Sequence, residues 1–240
     1  MINSYKQRYV CEPVYTMAGR LVAMEVLTSF TTPEGNTVSY NDVTDILTPE
    51  YKWLNFVRQL HGVSCWQNWL VRHHIVISLN VDADTAVWLL RDKAVLSMIA
   101  KMPFIRLEIH EHFPTSDKEK RGLLHHLRPH ASMWLDDVGS GSLNNFGLLI
   151  RGYFSGAKID KSFFWQHHVS DEAWLGKVIR DLTRFAGNVI VEGVEHTGHT
   201  MALMTTPHCW LQGHLFQRTD IDRIPEVPLW VNSVLTAPSG

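Results

Sequence analysis

Residues 132–141, SMWLDDVGSG, run from an apolar stretch into two adjacent carboxylates, Asp136 and Asp137, and then into a glycine-bracketed loop. A carboxylate at the end of a buried strand is costly unless it is paired, hydrogen-bonded or bound to a metal. The same interruption recurs in both directions along the chain: Glu25 in LVAMEVL (21–27), Asn80 in IVISLNV (75–81), Glu108 in FIRLEIH (104–110), Lys158 in GAKID (156–160) and Glu192 in VIVEGVE (189–195). From Asn80 onward the steps to Glu108, Asp136, Lys158, Glu192 and Gln212 are 28, 28, 22, 34 and 20 residues. Each is about one strand-plus-helix unit, as expected when a barrel of roughly 250 residues is divided by eight. The spacing therefore places these polar groups at the carboxyl-terminal ends of successive strands, the rim where barrel active sites lie.

The 240 residues suit one such barrel, and no Pro/Gly/Ser-rich linker, low-complexity tract or repeat divides them, so a single domain over 1–240 is expected. Two apolar segments, 9–15 and 21–30, flank a short turn at 16–20 and read as an antiparallel hairpin. Asp42 or Thr44 is placed to cap a short helix, and Pro49 opens a helix running to about Val71. Beyond it, strands at 74–80, 104–109, 132–136, 155–159, 188–192 and 209–212 alternate with helices at 82–102, 117–127, 171–185 and 197–204. That alternation implies a mainly parallel sheet.

Hydrophobic content of 45% and charged content of 19% are those of a globular chain. A net charge of -2 argues against binding a nucleic-acid polymer, which rests on many Lys and Arg contacts to phosphate. The three cysteines, Cys11, Cys65 and Cys209, lack a CxxC spacing, so neither a disulfide framework nor a structural zinc site is expected. No basic-then-apolar leader opens the chain and no window nears the roughly 18 apolar residues of a membrane span, so a cytoplasmic protein without membrane attachment is expected.

Carboxylates with an Asn carbonyl form a hard oxygen set suited to Mg²⁺ or Mn²⁺. Backbone bending into the glycine loop would let Asp136 and Asp137 face a shared metal pair, the arrangement that activates water and steadies both oxygens of an in-line phosphoryl displacement. Lys158, among small and apolar neighbours, is placed to orient that water or stabilise charge. His110 and His112 share a strand face, but no third zinc ligand follows at a suitable spacing, so a supporting polar role is expected. Gly139-Ser140-Gly141 lacks the lysine and threonine of a P-loop and reads as a loop beside the metals. Trp53, Trp69 and Trp88 sit at helical core spacing and read as packing residues, whereas Trp210 points with Gln212.

These motifs resemble those of the EAL phosphodiesterase family, which hydrolyses cyclic di-GMP to linear pGpG with two divalent cations. The name-giving motif is present as Glu25-Val26-Leu27, DDFGTG as residues 136–141, KID as Lys158-Ile159-Asp160, EGVE as residues 192–195 and QG as Gln212-Gly213. The resemblance, spanning roughly residues 9–216, implies an α/β fold, a modified (β/α)8 TIM-like barrel with an antiparallel first strand. It implies that Glu25, Asn80, Glu108 and Asp136 hold one metal, and that Asp136, Asp137 and Glu192 serve the second. Lys158 and Gln212 would serve the attacking water. Glu111 would support the loop that contains Gly139, Ser140 and Gly141, and Asp160 and Glu195 complete their motifs beside the substrate. A homodimer and inhibition by calcium are likewise implied by the family.

Ser29 stands where the family usually carries an arginine that binds substrate phosphate, a loss worth about 1.5 to 3 kcal/mol for a charge-assisted contact. Val138 replaces the usual Phe, and His110 the usual Thr. The chain also resembles small stand-alone enterobacterial EAL-like proteins, some active and others that have lost metal ligands and bind a flagellar transcription regulator. A catalytically weak or inactive adaptor for such a regulator is thus the competing expectation.

Overall fold

The structure, a computed structural model, describes residues 5–40, 43, 46–110, 113–114, 118–140, 146–168, 172–204, 206 and 209–232. Its strands are β1 (Lys6–Thr16), β2 (Leu21–Thr31), β3 (Thr37–Ser39), β4 (Val76–Asn80), β5 (Ile105–His110), β6 (Ser132–Val138), β7 (Gly156–Ile159), β8 (Asn188–Val191), β9 (Cys209–Gln212) and β10 (Thr219–Asp220). Its helices are α1 (Pro49–Ser64), α2 (Gln67–His73), α3 (Ala83–Arg91), α4 (Lys93–Ala100), α5 (Lys118–Leu127), α6 (Phe146–Ile150), α7 (Lys161–His167), α8 (Glu172–Ala186) and α9 (Thr197–Ala202).

The strands β2, β4, β5, β6, β7, β8 and β9 pair in parallel, and β1 closes the barrel by pairing antiparallel to both β2 and β9. The expected modified barrel with an antiparallel first strand is what forms. The short β3 and β10 extend β2 and β1 outside the closed circuit. Barrel strands are covered on both faces, which is why β4 and β8 read as nearly unbroken apolar runs rather than alternating ones. The surrounding helices bury one stripe each, as α8 does with Leu175, Ile179, Leu182 and Ala186.

Inside the barrel, side chains two apart on a strand share a face. Ala23, Trp134, Ile190 and Trp210 therefore sit one layer below Glu25, Asp136, Glu192 and Gln212, and they form an apolar cluster with Val14 and Val22. Gly156, the residue two before Lys158, makes room for that layer: a Cβ there would lie 2.6 Å from the Trp134 ring. Trp210 indeed points with Gln212, packing edge-on against Trp134 at 6.1 Å. Trp53 and Trp88 stack in the helical layer.

Two long helices expected from the sequence are each broken. The helix from Pro49 ends at Ser64, and Trp66 leaves helical geometry while its indole donates to the Ile221 carbonyl. The stretch 82–102 divides at Asp92, whose side chain accepts from the backbone N–H of Ala94 and Val95 and so starts a new helix. The sequence reading does not anticipate α6, α7, β3 or β10. The expected caps Asp42 and Thr44, and the helix starts at Asp117 and Asp171, lie outside the described residues. No helix among the described residues is long and apolar enough to cross a membrane.

Candidate active site

Glu25 ends the apolar half of β2, Glu108 sits near the end of β5, Lys158 is on β7, and Glu192 immediately follows β8. Parallel register aligns these ends, and their side chains meet on one atom. Lys158 Nζ lies 2.8 Å from Glu25 Oε2, 3.3 Å from Glu108 Oε2, 3.3 Å from Asp136 Oδ1 and 2.6 Å from Glu192 Oε1. The lysine is only 1% exposed. Gln212 donates to Glu25 Oε2 at 2.7 Å, and Asn80 donates through its amide nitrogen to Glu25 Oε1 at 2.8 Å.

The pair Asp136-Asp137 owes its geometry to a local defect in β6. Successive strand residues point to opposite faces, but the register of β6 against β7 slips between Leu135 and Val138, and Asp137 adopts φ of 56°. Both carboxylates consequently reach the rim. Oxygens of Asp136, Asp137 and Glu192 all lie within 4.8 Å of one another. Asp137 Oδ2 also sits 2.6 Å from His110 Nε2, so His110 supports an acid of the site.

Burial alone would push the Glu25 carboxyl up, but the Lys158 charge and the hydrogen bonds from Lys158, Asn80 and Gln212 outweigh it and hold the group at about 2. Asp136 goes the other way, to about 6, because burial, with Asp137 and Glu25 adding to it, overcomes Lys158. Glu108 and Glu192 are pushed well above the usual range, foremost by burial and then by neighbouring acids. Burial opposes the charge on Lys158, yet the surrounding carboxylates raise its pKa well above the ordinary lysine value.

One ammonium cannot neutralise this many acids, and Glu108 Oε1 and Gln212 Oε1 are buried without a hydrogen-bond partner among the described residues. Unpaired acceptors beside a hard oxygen donor set fit divalent cations of the Mg²⁺ or Mn²⁺ kind. The site opens into a cavity of about 670 Å³ lined by all of these groups.

The remaining expected residues fall differently. Asp160 lines the cavity, but its carboxylate is spent capping α7 through the N–H of Ser162 and Phe163. Glu195 lines the cavity with Oε1 3.4 Å from His214 Nδ1. Gly139, at φ of 101°, lies against the Phe163 ring, and Ser140 donates its N–H to the Asp137 carbonyl. Both shape the turn after the acid pair and neither lines the cavity. Glu111, His112 and Gly141 lie outside the described residues. Ser29 pairs with Arg8 and Ser39 in the sheet and does not line the cavity, and Val138 packs partly buried against the core. The sequence reading misses Glu12, which is buried on β1 directly opposite Glu25 and bonded by Arg218 at 2.9 Å. Its run YVCEPVY (9–15) carries the same signal as the others, a lone acid in an apolar strand.

The EAL domain model matches residues 6–219. The chain is 25% identical over 217 residues to the cyclic di-GMP phosphodiesterase PdeH of Escherichia coli, covering 89% of this chain and 84% of that protein. It is 24% identical over 235 residues to the anti-FlhC(2)FlhD(4) factor YdiV of Salmonella arizonae, covering 93% and 98%. A crystal structure of the EAL-like domain protein YdiV superposes with a TM-score of 0.81 at 25% identity, covering 95% of this chain and 98% of that one. With the family match spanning most of its length, the chain belongs to the EAL domain family.

Proposed function

We propose that the chain hydrolyses cyclic di-GMP to linear pGpG at this site with two divalent cations, Mg²⁺ or Mn²⁺. The observation that carries the reading is the convergence of Glu25, Glu108, Asp136 and Glu192 on Lys158 Nζ. Glu25, Asn80, Glu108 and Asp136 would hold one cation, and Asp136, Asp137 and Glu192 the other. When bound, such cations polarise the phosphodiester and lower the pKa of water. Gln212 and Asn80 fix the Glu25 carboxylate from two sides, and Lys158 holds that carboxylate in its charged form, draws the other buried acids together and faces the attacking water. We place this activity in the cytoplasm, in one domain over 1–240 that pairs as a homodimer.

A second reading, binding of a flagellar transcription regulator, is supported by the likeness to the anti-FlhC(2)FlhD(4) factor over nearly the whole of both chains. The comparisons favour this reading, while the retained acid cluster supports the hydrolase. Incubating the purified protein with cyclic di-GMP and Mg²⁺ or Mn²⁺ tests the first: folded, metal-loaded protein that releases no linear dinucleotide would sink it. Sedimentation with an FlhC–FlhD complex tests the second, and co-migration at micromolar concentration is the expected sign.

A further inference from the structure

The cavity is lined by more acids than cations, so an anionic substrate needs a basic contact in addition to metal. Among the described residues, four Lys or Arg residues line it: Lys52, Lys158, Lys161 and Arg218. Lys158 is enclosed by four carboxylates. Lys52 is held between Asp82 at 2.9 Å and Asp84 at 3.5 Å. Lys161 lies over the Trp165 ring at 5.8 Å. Arg218 differs: its side chain is 46% exposed, and among the described residues a single carboxylate oxygen, Glu12 Oε2, engages its NH2 group at 2.9 Å. A guanidinium has five N–H donors in a rigid fork, and one bond leaves most of them available to a ligand in the cavity that Arg218 lines.

Its anchor is placed with equal economy. Glu12 is 6% exposed and stands directly across the β1–β2 ladder from Glu25. Directly opposed residues on an antiparallel pair have Cβ atoms about 4.5–5.5 Å apart, so the acid that holds Arg218 is the immediate neighbour of the acid at the centre of the site. The repulsion between the two glutamates is relieved on one side by Lys158 and on the other by Arg218.

We propose that Arg218 is the phosphate-contacting residue of this cavity and that Glu12 is its positioning residue, together recognising a phosphodiester oxygen of the substrate. The inference rests on the proposed hydrolase site for the identity of its ligand, a cyclic dinucleotide, but not on turnover. Arg218 grips the phosphate that Ser29, lying outside the cavity, does not reach.

The test measures KM and kcat for cyclic di-GMP with Mn²⁺, and equilibrium binding of cyclic di-GMP with Ca²⁺, in wild type, Arg218→Ala, Arg218→Lys, Glu12→Gln and Lys161→Ala. Arg218→Ala is expected to raise KM and the dissociation constant about tenfold or more, with a smaller change in kcat. Arg218→Lys keeps charge but not the fork and is expected to recover only part of the affinity. Glu12→Gln is expected to weaken binding several-fold by loosening the arginine, while Mn²⁺ titration without nucleotide stays at the wild-type value in Arg218→Ala. Binding that is lost in Arg218→Ala while wild type binds without turnover would defeat the hydrolase reading and uphold this one. Turnover with KM and affinity within twofold of wild type in Arg218→Ala would overturn this inference alone, as would a loss confined to Lys161→Ala. A wild-type protein that neither binds nor hydrolyses the nucleotide would overturn both.

Discussion

Lys158 Nζ and Glu192 Oε1 lie 2.6 Å apart, joining the end of β7 to the loop that leaves β8. The contact is one of four that the ammonium makes to carboxylates, so this lysine holds the acid cluster together electrostatically. Removing one partner of a buried ion pair leaves uncompensated charge and costs about 3–5 kcal/mol. Lys158→Met is therefore expected to destabilise metal-free protein by about that amount in urea denaturation. Millimolar Mn²⁺ is expected to restore much of the loss, because an ion that binds only the folded state stabilises it by mass action. A variant with wild-type stability in chelator would remove the lysine from this role.

The same cluster sets an opposed pair of pH effects in chelator. Asp136 rises from the ordinary 3.8 to about 6, so its contribution is present below the unfolded value and is lost as pH rises through about 6. Glu108 and Glu192 shift in the same direction. Glu25 falls from 4.5 to about 2, so its contribution is present above about 4.5 and is lost as pH falls toward 2. Metal-free protein is thus expected to gain stability from pH 7 to about 5 and to lose it below about 4. With Mn²⁺ the slope between pH 5 and 7 is expected to reverse, since metal ligands must be deprotonated. Urea midpoints across this range, with and without metal, check both signs.

Much of the rim was legible because an acid in an apolar strand is hard to explain otherwise. Glu25, Glu108, Asp136 and Glu192 carry that signal, and the parallel register brings their ends to one atom. Glu12 carries the same signal but belongs to β1, which runs antiparallel to its barrel neighbours and lies outside the regular strand-plus-helix spacing of the others. Arg218 had no local signal, since it acquires its place from a contact with Glu12, 206 positions away in the chain. Asp160 lies in a recognisable motif and lines the cavity, and its carboxylate caps α7, a short helix that apolar periodicity does not announce. The breaks at Trp66 and Asp92 depend on a distant carbonyl and on a side-chain cap, neither of which apolar periodicity records.

Asp137 combines a ligand-type carboxylate with φ of 56°, a conformation Asp and Asn tolerate better than branched residues. Asp137→Asn is expected to keep stability within about 0.5 kcal/mol, the range of a surface substitution, while lowering turnover and Mn²⁺ affinity. Asp137→Val is expected to cost about a further 1–2 kcal/mol, because a branched side chain crowds the left-handed conformation and lacks the local hydrogen bonding by which Asp and Asn tolerate it. Denaturation and metal titration of the two variants separate the charge from the backbone geometry. Equal stability losses in both would show that the turn does not depend on the residue type.

The floor of the site rests on Gly156. A methyl added there would meet Trp134 Cδ1 and Nε1 at 2.6 Å, and Trp134 is 1% exposed and packed against Trp210. The ring has little room to retreat, because protein interiors are close-packed and overpacking typically costs about 1–3 kcal/mol. Gly156→Ala is expected to lose about that much stability and to change the tryptophan fluorescence of the folded state. Displacement of Trp134 would also shift Asp136, two residues along the same strand face. Mn²⁺ affinity is therefore expected to fall although no carboxylate has been altered. A variant that loses stability while keeping wild-type metal affinity would show that the apolar layer supports the fold without positioning the acids above it.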